Sequence, residues 1–546
     1  MKKLLALLLA VSMVFALCAC GSSTTTTAAE TQTETAATEG DVTKDAEAAK
    51  VELDNTVSTG RTDLNYAFTA AIVTADPHAN TKDMTMQLFN WVYNGLVFAD
   101  GQANITPDLA ESWTVSDDGT VYTFQIRQGV KFHDGSDMTA DDVVFSINRA
   151  IELAYFKNYT SSIDTVEKTG DWEVTITIKA ADNGFLYNLY NVKITSQAIV
   201  EKEGDNFGNG AQYAGTGPYM ITSYEPNTLI EFEKNPYYYG ECGNIEKIHG
   251  YVIVENSTRL TALQTGELDF IDVPTNAWAD IVASGSYNTE LVETSKITTV
   301  IISNGNATGD YAELDASRPQ VDVRVRQAMF YAIDRDALIN VAVNGMGVKA
   351  YIIPNPKYII GADDTDFVGT YEYDAAKAKE LLAEAGYADG CDVGTFLVPK
   401  TGNNEAIATI LVEMWKAVGI TATIELADST TASAQSKEHY QGVYITNSNY
   451  VHHMSNMKRA MHSGSFKTQV AKYNSEELDS YFDNAAAALT DADRDYYYNE
   501  VNRFINENCV NIPLFYETKG YAWAQGLTTT LTADLYYHLP QHWNWA

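Results

Sequence analysis

The stretch NSNYVHHMSNM, Asn447 to Met457, sets two imidazoles side by side at His452 and His453, with His462 a short way on. Imidazole is the commonest transition-metal ligand, and Met454 and Met457 add soft thioethers. Neighbouring residues of a strand point to opposite faces, however, and few carboxylates stand close by, so the stretch reads first as a polar loop. GADDTD (Gly361 to Asp366) clusters oxygen donors of the kind calcium prefers, but without the spacing of a calcium loop. DADRD (Asp491 to Asp495) is better read as acids at a helix N-terminus. The sequence contains no His-Glu-x-x-His, Gly-x-Ser-x-Gly or Gly-x-x-x-x-Gly-Lys. An extracellular peptidase, the rival class, would need a nucleophile–base pair or an open metal site, and neither is legible. The chemistry on offer is recognition. The 34 Tyr and 8 Trp suit organic-ligand pockets, although most of them are expected to pack.

Composition narrows the classes further. The formal net charge is −36 over 546 residues, which excludes a nucleic-acid binder, because phosphate contacts need Lys and Arg. A chain this long is expected to form two or three domains. Beyond the N-terminal stretch the cysteines are Cys242, Cys391 and Cys509, too few and too far apart for a zinc site or a disulfide scaffold. One disulfide with one thiol left over is compatible with an oxidising location, and the pair stays open.

That location is read from the start of the chain. Lys2 and Lys3 precede an apolar run from Leu4 to Ala19, shorter than the roughly 20 residues that span a bilayer. Leu17-Cys18-Ala19-Cys20-Gly21 resembles the lipobox of bacterial lipoproteins, which implies a signal peptide over 1–19 and a lipid on Cys20. Residues 20–57 are mostly Thr, Ala, Glu, Ser and Asp and cannot bury enough apolar surface to offset chain entropy, so they read as a tether. The expected address is the outer face of the cytoplasmic membrane, lipid-anchored, at the cell surface or in a periplasm.

Strands and helices interleave along the globule, which predicts an α/β fold with mixed sheets. Tyr122, Phe124 and Ile126 alternate with polar residues, as do Trp172, Val174, Ile176 and Ile178, and both runs predict strands with one wet face. Thr139 with Asp142, and Thr490 with Asp493, have the spacing of helix caps. The first opens a helix with Val143, Ile147 and Ile151 on one side. Asp374 and Gly386 bracket another helix. Ile407, Leu411, Met414 and Val418 line a third, which ends at Gly419 and feeds a strand from Thr421 to Leu426.

Several of these segments together resemble the family 5 extracellular solute-binding proteins of ABC importers, the peptide and nickel type. The block PDLAESWTVSDDGTVYTFQIRQGVKFHDGSDMTADDVVFSINRA (Pro107 to Ala150) carries the likeness almost throughout. GTGPY (Gly215 to Tyr219), EKNPYYYG (Glu233 to Gly240) and LTALQTGELDF (Leu260 to Phe270) follow in order. VRVRQAMFYAIDRDALI (Val323 to Ile339) and YDAAKAKELLAEAGY (Tyr373 to Tyr387) complete the series.

The resemblance implies a two-lobed, periplasmic-binding-protein-like clamshell of type II with an extra N-terminal subdomain. Lobe I would be 58–300 plus 510–546, with the subdomain at 91–210, and lobe II would be 301–509. VIISNGN (Val300 to Asn306) and NIPLFYE (Asn511 to Glu517) would cross between them. It implies a non-enzymatic, single-chain binding protein without a cofactor, which captures a small ligand and hands it to ABC permease subunits. A peptide is the first candidate ligand and a nickel or other metal chelate the second. Many peptide binders of the family hold the peptide amine with an aspartate just after a lobe II strand. The matching region here, Gly442 to Met457, has none. By that position the expected contacts are Tyr444, Thr446, Asn447, Asn449, Tyr450, His452 and His453. His462 falls near a metal-contacting histidine of the nickel branch. On the first lobe, FTAAIVTADPH (Phe68 to His78) would line the cleft as an edge strand with Thr74 as the contact, and Asp76-Pro77 would form a turn.

Overall fold

Two long strands, Asn288–Ile302 and Asn511–Trp523, pair antiparallel along most of their length and tie the halves of the molecule together. The computed structural model describes residues 60–100, 104–304, 315, 317–437, 442–451, 453–531 and 538–546, all within one compact unit. The signal segment, Cys20, the whole tether and His452 lie outside the described residues.

The two strands sit in the middle of an 11-stranded mixed sheet. On one side the second strand pairs with Phe270–Val273, and the sheet continues through Asp63–Phe68, Lys247–Val252, Leu229–Lys234 and Tyr219–Glu225. On the other side the first strand pairs with Gly442–Asn449, followed by Cys391–Pro399 and Ile420–Ala427. The register between the long strands shifts between Glu293 and Ile297, where Asn288–Ile302 leaves one half and enters the other. A bulge of this kind bends a strand and re-aims its side chains. A separate antiparallel sheet, in the order Ala110–Val115, Val121–Ile126, Glu173–Ile178 and Ile163–Gly170, forms a subdomain on the first half.

Local sequence accounts for these elements. In Val121–Ile126, Tyr122, Phe124 and Ile126 are buried and their neighbours are not. In the helix Ala140–Glu152, Asp142 Oδ2 accepts from the Thr139 backbone N–H at 3.0 Å, a reciprocal cap that fixes the helix start. Val143 and Ile147 are buried, whereas Ile151 is exposed and Ala150 takes the inward position near the helix end. Asp374 and Thr490 cap Ala375–Glu384 and Asp491–Asn508 through their side chains. Gly419, at φ +101°, ends Asn404–Val418, a left-handed conformation that favours glycine. Trp415 completes that helix's inward face and donates from Nε1 to Met329 O at 3.0 Å.

Separate apolar clusters cover the two faces of the second half's sheet. Val443, Ile445, Val300 and Leu514 belong to one, and Tyr444, Ile297, Ile301 and Tyr516 to the other. Cys242, Cys391 and Cys509 are free, Cys509 buried and the other two partly so.

Candidate functional site

The strand Gly442–Asn449 changes character half-way. Gly442 to Ile445 are buried, Thr446 and Ser448 are half-buried, and Asn447 and Asn449 are exposed. The sequence GVYITNSN explains this, because its apolar part packs under the helices and its amide and hydroxyl part runs out beyond them, toward the other half. Two cavities flank the emerging end.

The larger, about 470 Å³, lies between the second half and the subdomain. Thr446 to Val451, His453, Asn456, Arg459, Phe466 and Lys467 form one wall, and Tyr159, Tyr187, Asn188 and Asn191 the other. The smaller, about 370 Å³, lies on the opposite face of the strand, among Lys296, Thr298, Asn447, Asn449, Phe515, Glu517 and Thr518, with Thr275 reaching in from the first half. It opens into a further space of about 250 Å³ that reaches Asp272 and Lys519.

Asn447 Nδ2 donates to Thr298 Oγ1 at 2.9 Å and to Glu517 Oε1 at 3.0 Å. Asn449 Oδ1 accepts from Ser295 Oγ at 2.6 Å. Lys519 Nζ and Asp272 Oδ2 are 3.3 Å apart. Burial pushes the Lys519 ammonium down, against the pull of Asp272. Burial would also raise the Asp272 carboxyl, but Lys519 and Arg259 outweigh it and hold the group below the usual carboxylate range.

His453 is 2 % exposed. Its Nδ1 accepts from the Ser455 N–H at 3.1 Å, so the proton sits on Nε2, which donates to Tyr498 OH at 2.6 Å. Tyr187 of the subdomain stacks on the ring, with centroids 5.4 Å apart, and a Cβ on Gly184 would stand 2.7 Å from Nδ1. His453 thus joins subdomain to second half with both nitrogens engaged. Asn183 Nδ2 donates to Ala485 O at 2.6 Å across the same junction.

Of the residues expected from the sequence, Thr446, Asn447, Asn449, Tyr450 and His453 come together around the larger cavity. Three others do not join them. Tyr444 is 5 % exposed and packs edge-on against Phe466, because it lies on the strand's buried half. Thr74 lies beyond the end of Asp63–Phe68, which is itself flanked by two strands and offers no free edge. Its Oγ1 donates to Gly208 O at 3.3 Å and accepts from the Asp76 N–H at 3.0 Å, a loop-fixing role. His462 faces the carboxylates of Asp479 and Asp483 at 3.6 and 3.5 Å. Among the described residues no group of three or more His, Cys, Asp or Glu is arranged to hold a metal ion.

Sequence reasoning did not single out Glu517, Arg459 or Lys467. Glu517 closes NIPLFYE, read as a crossing segment, so its place at the junction was within reach. Lys467, in Phe466–Ala471, carries no sequence signal, since a lysine on a short helix reads as solvated. Here it is 4 % exposed, with no hydrogen-bond acceptor at Nζ and the Tyr450 ring centroid 5.2 Å away. Burying an ammonium costs several kcal/mol, and a cation–π contact returns only about 0.5–2 kcal/mol, so the charge is not compensated by its surroundings.

Two α/β halves joined by crossing strands, with polar cavities where they meet, define a two-lobed binding protein. The model of the bacterial extracellular solute-binding proteins, family 5 (Middle) matches residues 104–499. Heme-binding protein A of Haemophilus influenzae is 28% identical over 461 residues, covering 78% of this chain and 81% of that protein. Oligopeptide-binding protein AppA of Bacillus subtilis is 29% identical over 374 residues, covering 64% and 66%. The solved structure of HbpA2 from Haemophilus parasuis superposes with a TM-score of 0.78 at 22% identity, covering 89% of this chain and all of that one, and shows the shared periplasmic-binding-protein fold. The chain belongs to the family 5 extracellular solute-binding proteins. Among the described residues no helix is long and apolar enough to cross a membrane.

Proposed function

We propose that the protein is the substrate-binding lipoprotein of an ABC importer, that it captures a peptide between its lobes, and that it delivers the peptide to the permease subunits as a single chain. Lobe I is 58–300 with 510–546 and the subdomain at 91–210, and lobe II is 301–509. Family membership supports the transport role, which is binding and not catalysis. The observation that carries the ligand reading is the exposed end of Gly442–Asn449, whose Asn447 and Asn449 stand between two cavities lined from both halves. Such amides both donate to and accept from a peptide backbone. The absent aspartate has a substitute in Glu517, which lies at the end of the Asn447 side chain and supplies a countercharge for a ligand amine. The oligopeptide-binding relative is consistent with this ligand class. A metal chelate fits less well, because His462 lies against two carboxylates and His453 has no free nitrogen.

Asn447→Ala and Asn449→Ala are expected to weaken binding of pooled tetrapeptides about tenfold each, the effect of losing roughly one good hydrogen bond. Melting of the ligand-free protein should fall by only a few degrees, the cost of the hydrogen bonds to Thr298, Glu517 and Ser295 that the two side chains give up. Calorimetry with the two variants checks this, and normal affinity in both would move the contacts elsewhere.

The lipid anchor is a separate element of the proposal. Cys20→Ala should release the protein from membranes or stall its processing. Unchanged membrane attachment on fractionation would show that Cys20 does not carry the anchor.

A further inference from the structure

The helix Glu476–Ala487 of the second half ends without a stop of its own. Ala485 to Leu489 read AAAAL, with no glycine to turn the chain and no cation in the last turn. The last carbonyls of a helix lack partners within it. Here they are met from across the junction. Asn183 of the subdomain donates from its backbone N–H to Ala486 O at 3.0 Å, and from Nδ2 to Ala485 O at 2.6 Å and Ala488 O at 3.3 Å. The loop that presents it is held ready, because Asp182 Oδ1 accepts from the Gly184 N–H at 2.9 Å. Elsewhere along the junction Arg459 Nη1 donates to Asn158 O at 3.1 Å. The contact is of a kind that can part. Leu489 is 64 % exposed, and a cavity of about 460 Å³ remains between the two faces, so they are not packed as a core. Water can replace Asn183 at the helix carbonyls. Asn183 Oδ1 is buried without a protein partner, a cost that offsets part of the gain.

We infer that Asn183 and the AAAAL helix end form a clasp, a helix cap supplied by the opposite half, that holds the subdomain against the second half and sets how long a ligand stays. The inference rests on the ligand-capture reading above. The chain passes between the halves through the two long strands, with a bulge where the first of them crosses, so the halves can turn about that crossing. The clasp is a second connection, made without a covalent link. Tyr187, four residues beyond Asn183, stacks on His453, and both rings stand in the wall of the larger cavity. Parting the clasp therefore opens that cavity. Every bond in the clasp is between protein groups, so it favours the closed form whether the cleft is loaded or not.

Two variants reach the clasp by different routes. Asn183→Ala removes the side-chain bonds. Gly184→Ala adds a methyl 2.7 Å from His453 Nδ1 across the junction and 3.1 Å from Asp182 Oδ1 in its own loop, at a φ of −85° that alanine adopts freely. Stopped-flow binding of pooled tetrapeptides separates association from release. Asn183→Ala should release peptide about tenfold faster than wild type, the scale of one lost hydrogen bond, with association nearly unchanged. Gly184→Ala should do the same. Release at the wild-type rate in both variants, or a loss confined to association, overturns the clasp. If wild type binds no peptide, the peptide reading fails, and small-angle scattering of the ligand-free proteins decides the clasp alone. A larger radius of gyration in both variants than in wild type then upholds it, and equal radii overturn it.

Discussion

Arg149→Met should lower the stability of the ligand-free protein by about 3–5 kcal/mol, the usual result of leaving one member of a buried ion pair alone. Arg149, on the helix Ala140–Glu152, holds Asp76 through two hydrogen bonds, each 2.7 Å. Asp76 is 5 % exposed. Its Oδ1 also accepts from the His78 N–H at 2.9 Å, which makes Asp76-Pro77 a turn and anchors the chain after Asp63–Phe68 to the subdomain. The methionine keeps most of the volume and removes the charge, so the loss reports the abandoned carboxylate. Adding Asp76→Asn should recover a large part of it, because the buried charge then disappears. Denaturant unfolding of the wild type, the single variants and the double variant checks the claim. A loss below about 1 kcal/mol for Arg149→Met would mean that the pair is not buried as described.

Acid should destabilise the protein well before its carboxylates titrate. His78 and His133 are pushed down to about 4 and His538 to about 3, in each case chiefly by burial. For His78 the hydrogen bonds show the cause. Nε2–H donates to Lys193 O at 2.8 Å and Nδ1 accepts from Arg149 at 3.0 Å, so a second proton would meet the guanidinium. In the unfolded chain the three imidazoles titrate near 6.5. Between there and pH 4 the unfolded state binds more protons, so stability rises with pH in that window. It is fully present above about 6.5 and is lost as pH falls toward the folded values. Each histidine contributes on the order of 3 kcal/mol by this linkage. The melting temperature should drop on the order of 10 °C between pH 7 and pH 4.5. A melting temperature that is flat across this window would show that these rings are not buried and neutral.

Much of the architecture was legible because local signals and long-range packing agree. The caps at Thr139, Asp374 and Thr490, the stop at Gly419 and the alternation of Tyr122, Phe124 and Ile126 each need only their near neighbours. The crossing of the chain was harder to read. The first long strand begins at Asn288, not at Val300, because NTELVETSK is polar, and its strand conformation comes from pairing with residues far along the chain. Thr74 was misplaced for the converse reason. FTAAIVT reads as one strand, but the strand ends at Phe68 and the residues beyond it are shaped by contacts with Gly208 and the Asp76–Arg149 pair. In the site, Asn447 and Asn449 were readable from the polarity change within GVYITNSN. Tyr444 was not separable from them, since only the sheet shows where burial stops. Lys467 was invisible, because its environment is made by Tyr450, which lies on the far side of the helix Ser455–Met461 in the chain.

A peptide held between the lobes should be visible by native mass spectrometry of the signal-free protein as purified. Enclosed clefts can retain ligand through purification. The expected result is a ladder of adduct masses that fragment into amino-acid residues and that disappear in the Asn447→Ala, Asn449→Ala double variant. A single discrete adduct that yields no amino acids would contradict the peptide assignment and show that the amides at the end of Gly442–Asn449 serve another cargo.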